Sequence, residues 1–307
     1  MTSTTWRAGA APAALVVLWS SGFIGAELAT REAPASTVLA WRYLVAAAVL
    51  VAVCLWRRER VGRRGIARQV VMGMFTQAAY LGLVFAGVGL GASAGTTSLI
   101  ASMQPLVVIV LAAMVLSERI GAARLVGLLL GLAGVAVVVG GDLTSGDAAW
   151  WIYLLPVGGM AALSAGTVLQ QRWQPKESLL VALTVQSLTA AGVFWAVAVV
   201  GGTASPPASS DFWAAVAWTV VLSGFGGYGA YLHVTRTQGA TSASTWLYLT
   251  PPTTMLWAAL MFGDAVTTFG LAGLAVSAVG VALAMRAAVR DRQDRTLPSD
   301  TFSGDPA

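Results

Sequence analysis

The side chains that could bind something in this sequence are few, and nearly all sit inside long apolar runs. Trp19, Phe23, Tyr80, Tyr228, Tyr231 and Tyr248 offer ring faces, while Gln77, Ser98, Gln104 and Thr245 offer amides and hydroxyls near them. Rings with a few hydroxyls suit amphipathic or cationic organic solutes, through stacking, cation–π contact and hydrogen bonds. Pro105, Pro251 and Pro252 interrupt two of the apolar runs near their middles. A proline removes one backbone donor and crowds the carbonyl four residues earlier. Ala101 and Leu247 therefore carry released carbonyls, which in hydrocarbon must face protein or a wet cavity. The three prolines read as hinges beside a binding site, with kinks needed only for packing as the alternative.

Two charges also stand within apolar runs. Glu27 lies near the end of the first, and Arg42 is six residues into the second, ~9 Å below its start at 1.5 Å per residue. An isolated charge at that depth costs roughly a few kcal/mol, which pairing or snorkelling relieves. Consecutive antiparallel helices would let Arg42 reach outward to Glu27. The expected pair is either structural, or Glu27 takes up a proton or a cationic substrate while Arg42 holds it ionised.

Other chemistries find no footing. His233 and Cys54 are the single histidine and cysteine and lie far apart in sequence, so a zinc or Cys–His centre is not expected. His233 reads as an interfacial hydrogen-bonder and Cys54 as a packing residue. Asp142 and Asp264 fall at helix ends and supply no aspartate pair at depth. No GxxxxGK[ST] loop is present, so ATP drives nothing directly. No cofactor, metal or enzymatic activity is expected. The readings left in competition are a carrier of small solutes and a non-transporting scaffold or receptor.

The elements that must position these residues are apolar helices. Of 307 residues 57% are hydrophobic and 10% charged, with a mean hydropathy of +0.76, against roughly 25% charged in a soluble domain. Runs of about the ~20 residues needed to cross a bilayer cover 11–28, 36–56, 70–87, 93–116, 122–139, 150–170, 179–200, 212–234, 240–262 and 269–286. Connectors carry the breakers Ala33-Pro34, Gly140-Gly141-Asp142, Gln174-Pro175 and Pro206-Pro207. The expected fold is all-α and membrane-integral, with ten transmembrane helices.

A shift of 146 residues lays Pro105 on Pro251, Glu118 on Asp264, Gly127 on Gly273 and Gly134 on Gly280. Ala94, Ser98, Leu125, Leu128, Val135 and Ala136 also meet identical partners. A repeat of five helices is odd, so the second copy would enter the membrane inverted, with a pseudo-two-fold axis in the membrane plane. Such symmetry supplies a midplane site that either side can reach by similar motions. The repeats are expected over 11–140 and 148–287, followed by a disordered tail over 288–307. Gly127, Gly131 and Gly134, matched by Gly273, Ser277 and Gly280, form small faces for close helix approach. They read as packing inside each repeat, with a homodimer contact as the alternative.

Orientation follows from the cations. With a cytoplasmic N-terminus, 16 of the 18 Lys and Arg fall inside, six of them between Arg57 and Arg68. Both termini are then cytoplasmic, in the inner membrane. The pI near 9.9 reflects these short anchors beside anionic lipid, not a nucleic-acid surface. The partners expected are the lipid bilayer and a small-molecule substrate.

At this point the sequence resembles the drug/metabolite transporter superfamily in its EamA-type branch. The resemblance rests on Trp19-Ser20-Ser21-Gly22-Phe23, Trp41-Arg42-Tyr43, Pro105 with Ser117-Glu118-Arg119, Tyr248-Leu249-Thr250-Pro251-Pro252, and Phe262-Gly263-Asp264. It implies a central cavity lined by the first, third, fourth, sixth, eighth and ninth helices, and efflux of small metabolites or drugs. Glu27 stands where many members carry a basic residue, and Asp264 where the usual residue is glutamate.

Overall fold

The computed structural model describes residues 3–59, 61–116, 121–145, 148–238 and 246–296. Thr241, Thr245, Ser117, Glu118, Arg119, Asp147 and the tail over 297–307 lie outside the described residues. All regular structure among the described residues is helical. Helix α1 spans Ser3–Glu32, α2 Ala35–Trp56, α3 Arg63–Gly73 and α4 Tyr80–Gly89. Then follow α5 (Ala94–Ser102), α6 (Gln104–Leu116), α7 (Ala122–Ser145), α8 (Leu154–Trp173) and α9 (Leu179–Val200). The chain closes with α10 (Ser210–Trp218), α11 (Tyr228–Gln238), α12 (Thr250–Phe262) and α13 (Thr268–Thr296).

Local sequence explains the boundaries. Ser93, Ser178 and Ser209 cap α5, α9 and α10, each accepting from a backbone N–H of the first turn. Gly263, at φ 76°, ends α12 in the left-handed conformation that glycine reaches without strain. Pro105 sits just inside the start of α6, and Pro251 just inside the start of α12. At these first-turn positions a missing N–H costs little, so each proline follows a true break in its helix. One break is the turn at Met103, and the other ends at Leu249.

Two further interruptions are less ordinary. A π-helical segment, Met74–Ala79, joins α3 to α4, and another, Thr219–Gly227, joins α10 to α11. A π turn carries one residue more per turn than an α turn and spoils the hydrogen-bond ladder, so it is rare outside functional sites.

The surface is apolar and the interior holds polar groups. Val200 is 89% exposed and Trp56 79%, whereas Ser20, Ser21, Thr97, Thr254 and Ser277 are wholly enclosed. Trp150, Trp151 and Trp213 also project outward near helix ends, where indoles suit a membrane interface. Among the described residues, seven helical spans are long and apolar enough to cross a bilayer, two of them, Arg63–Gly89 and Ala94–Leu111, joining consecutive helices. This is a multi-pass membrane protein.

The helices pair in a regular way. α7 lies along α13, α2 along α9, and α5 against α12. α1 crosses the segment Thr219–Gly227, and α8 crosses Met74–Ala79. Small residues permit each crossing. A Cβ at Gly22 or Gly25 would strike Ser223, Trp218 or Thr219, and one at Gly166 would strike Thr76 and Phe75. The seam of α7 with α13 is the tightest. Ser277 Oγ donates to Gly131 O at 3.2 Å. Added carbons at Gly134, Gly273 and Gly280 would meet backbone of the opposing helix.

Three expectations change here. The glycine faces lie mainly between α7 and α13, not inside one repeat: Gly134, Gly273 and Gly280 each approach backbone of the opposing helix, whereas Gly131 also packs on Leu106 and Met103 of its own repeat. Helix α7 runs on through Gly140-Gly141-Asp142, expected as a connector, because Phe269 of α13 packs on Gly141 and carries the helix outward. The helix α13 extends through Thr296, so residues 288–296, expected to be disordered, are helical.

The seam makes a testable demand. Gly273→Val should cost about 1–3 kcal/mol by overpacking, seen as a lower melting temperature in detergent. Gly140→Ala, with open space around the added carbon, should melt like wild type. Equal melting of the two variants would show that the seam yields.

Candidate functional site

A vestibule of about 490 Å³ lies at the end of the bundle where α1, α4, α7 and α12 finish and α5 and α13 begin. Its position follows from the connectors. The Gly89–Ser93 turn and the Gly263–Thr267 turn are short, so the helix ends they join form a ring and leave a hollow between them. Small residues on its wall, among them Gly89, Gly91, Gly95 and Gly270, keep that hollow open.

Three carboxylates enter the vestibule, each with a different environment. Asp142 Oδ2 accepts from Thr96 Oγ1 at 2.5 Å, Ser93 Oγ at 3.0 Å and Tyr153 OH at 3.4 Å. It thereby ties the end of α7 to the start of α5 and to the turn before α8. Glu27 Oε1 accepts from Arg31 Nη2 at 2.6 Å, one helical turn along α1, while Glu27 Oε2 is enclosed with no partner. The Arg31 guanidinium in turn lies 4.2 Å from the centre of the Phe262 ring. Asp264, in the turn after α12, is held above its ordinary carboxyl range. Burial is the larger cause and the Asp142 charge adds to it, against the opposing pull of Arg31.

The Glu27–Arg42 pair expected from the sequence does not form. Arg31, four residues along the same helix, takes Glu27. Arg42 instead lies 93% buried, with its guanidinium 5.5 Å from the Tyr43 ring centre and 5.6 Å from that of Phe85.

The remaining expected site residues fall into separate groups, and among the described ones only Glu27 lines the vestibule. Trp19, Tyr228 and Tyr231 come together between α1 and α11, with ring centres 5.7 and 6.2 Å apart in the Trp19–Tyr231 and Tyr228–Tyr231 pairs. Gln77 lies in the first π segment and accepts from Tyr43 OH at 2.6 Å, with Tyr80 one turn further on. Gln104 donates to Thr167 Oγ1 at 3.0 Å, bridging α6 to α8. Tyr248 packs near Leu99 and Met103, with its hydroxyl enclosed and unpartnered. Phe23 belongs to the main core. Ser98 donates its hydroxyl to Gly95 O of its own helix, at 2.7 Å. Pro105 and Pro252 are half-buried and Pro251 is buried. His233 is exposed.

Sequence reading missed Ser93, Thr96, Asp142 and Tyr153 as one unit. The available signal was a lone aspartate at the end of an apolar run, in a chain with few acids. Its partners lie up to 49 residues away, beyond any local pattern.

The raised carboxyl of Asp264 has a sign that can be checked. A carboxyl raised in the folded state binds more protons there than in the unfolded chain. Its stability contribution therefore falls as pH rises through the window opening at the ordinary value of 3.8. Asp264→Asn should thus melt no lower than wild type at neutral pH, and its advantage should fade on acidification. A variant that melts several degrees lower at neutral pH would mean the carboxylate is held by favourable contacts.

The model of the EamA-like transporter family matches residues 9–140 and, a second time, residues 150–286. A WAT1-related chloroplastic protein of Arabidopsis thaliana is 29% identical over 206 residues, which are 62% of this chain and 48% of that relative. The match thus spans about half of the relative's length. An uncharacterized transporter of Archaeoglobus fulgidus is 22% identical over 275 residues, 88% of this chain and 96% of the relative. A solved crystal structure superposes with a TM-score of 0.64 at 21% identity, over 92% of this chain and 99% of the other. That likeness carries the fold alone.

Proposed function

This chain belongs to the EamA-like transporter family, and from that footing we propose that it is a secondary exporter of small organic solutes working by alternating access. Its ten helices form two inverted repeats, over 11–140 and 148–287, in the cytoplasmic membrane with both termini inside. The observation that carries this reading is the recurrence of the helix defects. Met74–Ala79 moved by 146 falls on 220–225, inside the second π segment, Thr219–Gly227. The Ser277–Gly131 hydrogen bond also joins residues 146 apart, as a contact on a two-fold axis would. The pairings of α1 with one π segment and of α8 with the other support the same symmetry.

The vestibule then lies on the external side, because Arg57–Arg68 and the other clustered cations lie on the opposite side. Two halves of like build can exchange their conformations, which would close this vestibule and open its counterpart on the other face. The breaks at Met103 and Leu249 and the two π segments are where the helices would bend. The substrate path runs inward from the vestibule past Tyr80 and Tyr248.

Flux of a panel of amino acids, nucleobases, polyamines and amphipathic dyes into proteoliposomes tests the reading. At least one solute should accumulate above protein-free vesicles. Tyr80→Ala and Tyr248→Ala should each lower that flux by about tenfold, with membrane expression retained. Wild-type flux in both would remove these rings from the path, and no flux of any solute would favour a scaffold.

Glu27, with one carboxylate oxygen unpartnered in the vestibule, is the group proposed to couple transport to protons. Glu27→Gln keeps the shape but removes titration, so its flux should lose the wild-type dependence on external pH. An unchanged profile would leave Glu27 a structural partner of Arg31.

A further inference from the structure

Among the described residues, Arg42 is a cation without a counter-charge. It lies seven residues into α2, about 10 Å below the helix start, and 93% of its surface is buried. Among the described residues no carboxylate lies within ion-pair reach of it and no hydrogen bond satisfies its guanidinium, whose Nη1 is fully enclosed. Nearby, Tyr43 OH gives its hydrogen to Gln77 Oε1, and Glu27 Oε1 accepts from Arg31. What surrounds the guanidinium is aromatic: Tyr43, Phe85 and, within electrostatic reach, Tyr80. Ring faces at 5.5 and 5.6 Å attract a cation but supply no acceptor for five N–H groups. A charge kept in the membrane at such cost marks a site by default.

Arg42 is also close to the way in. Phe85, which faces it, stands three residues before Val88 on α4, and Val88 lines the vestibule. Three residues of helix are about 4.5 Å, so Phe85 sits just under one turn below Val88 on the same helix. Of the three carboxylates above, Glu27 is paired with Arg31, Asp264 is held above its ordinary range by burial, and Asp142 keeps its charge while accepting from three hydroxyls, so an anion passes beside Arg31 on its way to Arg42.

We propose that Arg42 receives the carboxylate of an organic acid, whose aromatic or apolar body rests against Tyr43, Tyr80 and Phe85. A planar guanidinium offers two parallel donors to a carboxylate, and in a site of low polarity that match supplies both the missing charge and the missing acceptors. The inference rests on the transport reading and narrows its substrates to anions, away from the cationic solutes that ring faces alone would suggest.

Three compounds with one ring and different heads test it: phenylacetate, phenylacetamide and phenethylamine, each added at millimolar concentration to the purified full chain. Phenylacetate should raise the melting temperature of the wild type by about 3 °C or more, and the neutral and cationic analogues by clearly less. Arg42→Gln should abolish the phenylacetate shift. Arg42→Lys, which keeps the charge but not the fork, should retain only part of it. An equal or larger shift with the amine or the amide, no shift with any compound, or a phenylacetate shift that survives in Arg42→Gln would each overturn the proposal. Should Arg42→Gln fail to fold, the wild-type series alone decides. Flux of some other solute in proteoliposomes, with no response to phenylacetate, would sink this inference and leave the transport reading standing.

Discussion

A bilayer offers no water to a backbone, and this governs the rest of the structure. Every N–H and C=O at membrane depth must find a partner within the chain, so the runs between connectors are helices. Departures from the α-helical ladder are tolerated only where protein or a wet space covers them. The two π segments obey this rule, since α8 crosses one and α1 crosses the other. So does the break at Met103, whose side chain is buried against Leu99 and Leu106. The irregular backbone is therefore gathered where helices meet, which is also where a solute would pass.

The same scarcity of water sets the electrostatics of the vestibule. Each carboxylate there is handled by a different device: hydroxyl donors for Asp142, an ion pair for Glu27, and a shifted protonation range for Asp264. Arg31 serves two of them and also lies over Phe262. Movement of α12 relative to α1 would therefore disturb Glu27 and Asp264 together. Helix position and charge state are coupled at this mouth through a single side chain.

Much of this was legible in the sequence, for reasons that differ by feature. Hydropathy marks each apolar run because lipid selects composition over some twenty residues at a time. Proline marks the breaks before α6 and α12 because its ring rules out the regular ladder. The π segments carry no proline: Met74–Ala79 lacks glycine as well, whereas Thr219–Gly227 holds Gly224, Gly226 and Gly227, and in both the extra residue is accommodated by what packs on it. Charge pairing was misread for a related reason. Arg31 and Arg42 were both within plausible reach of Glu27, and the choice fell to side-chain direction along α1, which spacing alone does not fix. The glycine faces were recognised as contact surfaces, but a small-residue stripe does not say which helix it will meet.

The seam between α7 and α13 has a consequence for how such a chain can change over time. Where two helices touch through backbone, a larger residue on one side has to be answered by a smaller one on the other. Gly131 faces Ser277, and Gly134 faces Gly273 and Ser277. Neither half can drift there alone. Lipid-facing positions such as Val200 and Leu260 are under no such tie and can wander freely among apolar residues. Along this line Gly127 with Gly273, Leu128 with Leu274, Gly134 with Gly280 and Val135 with Val281 are the same residue in both halves.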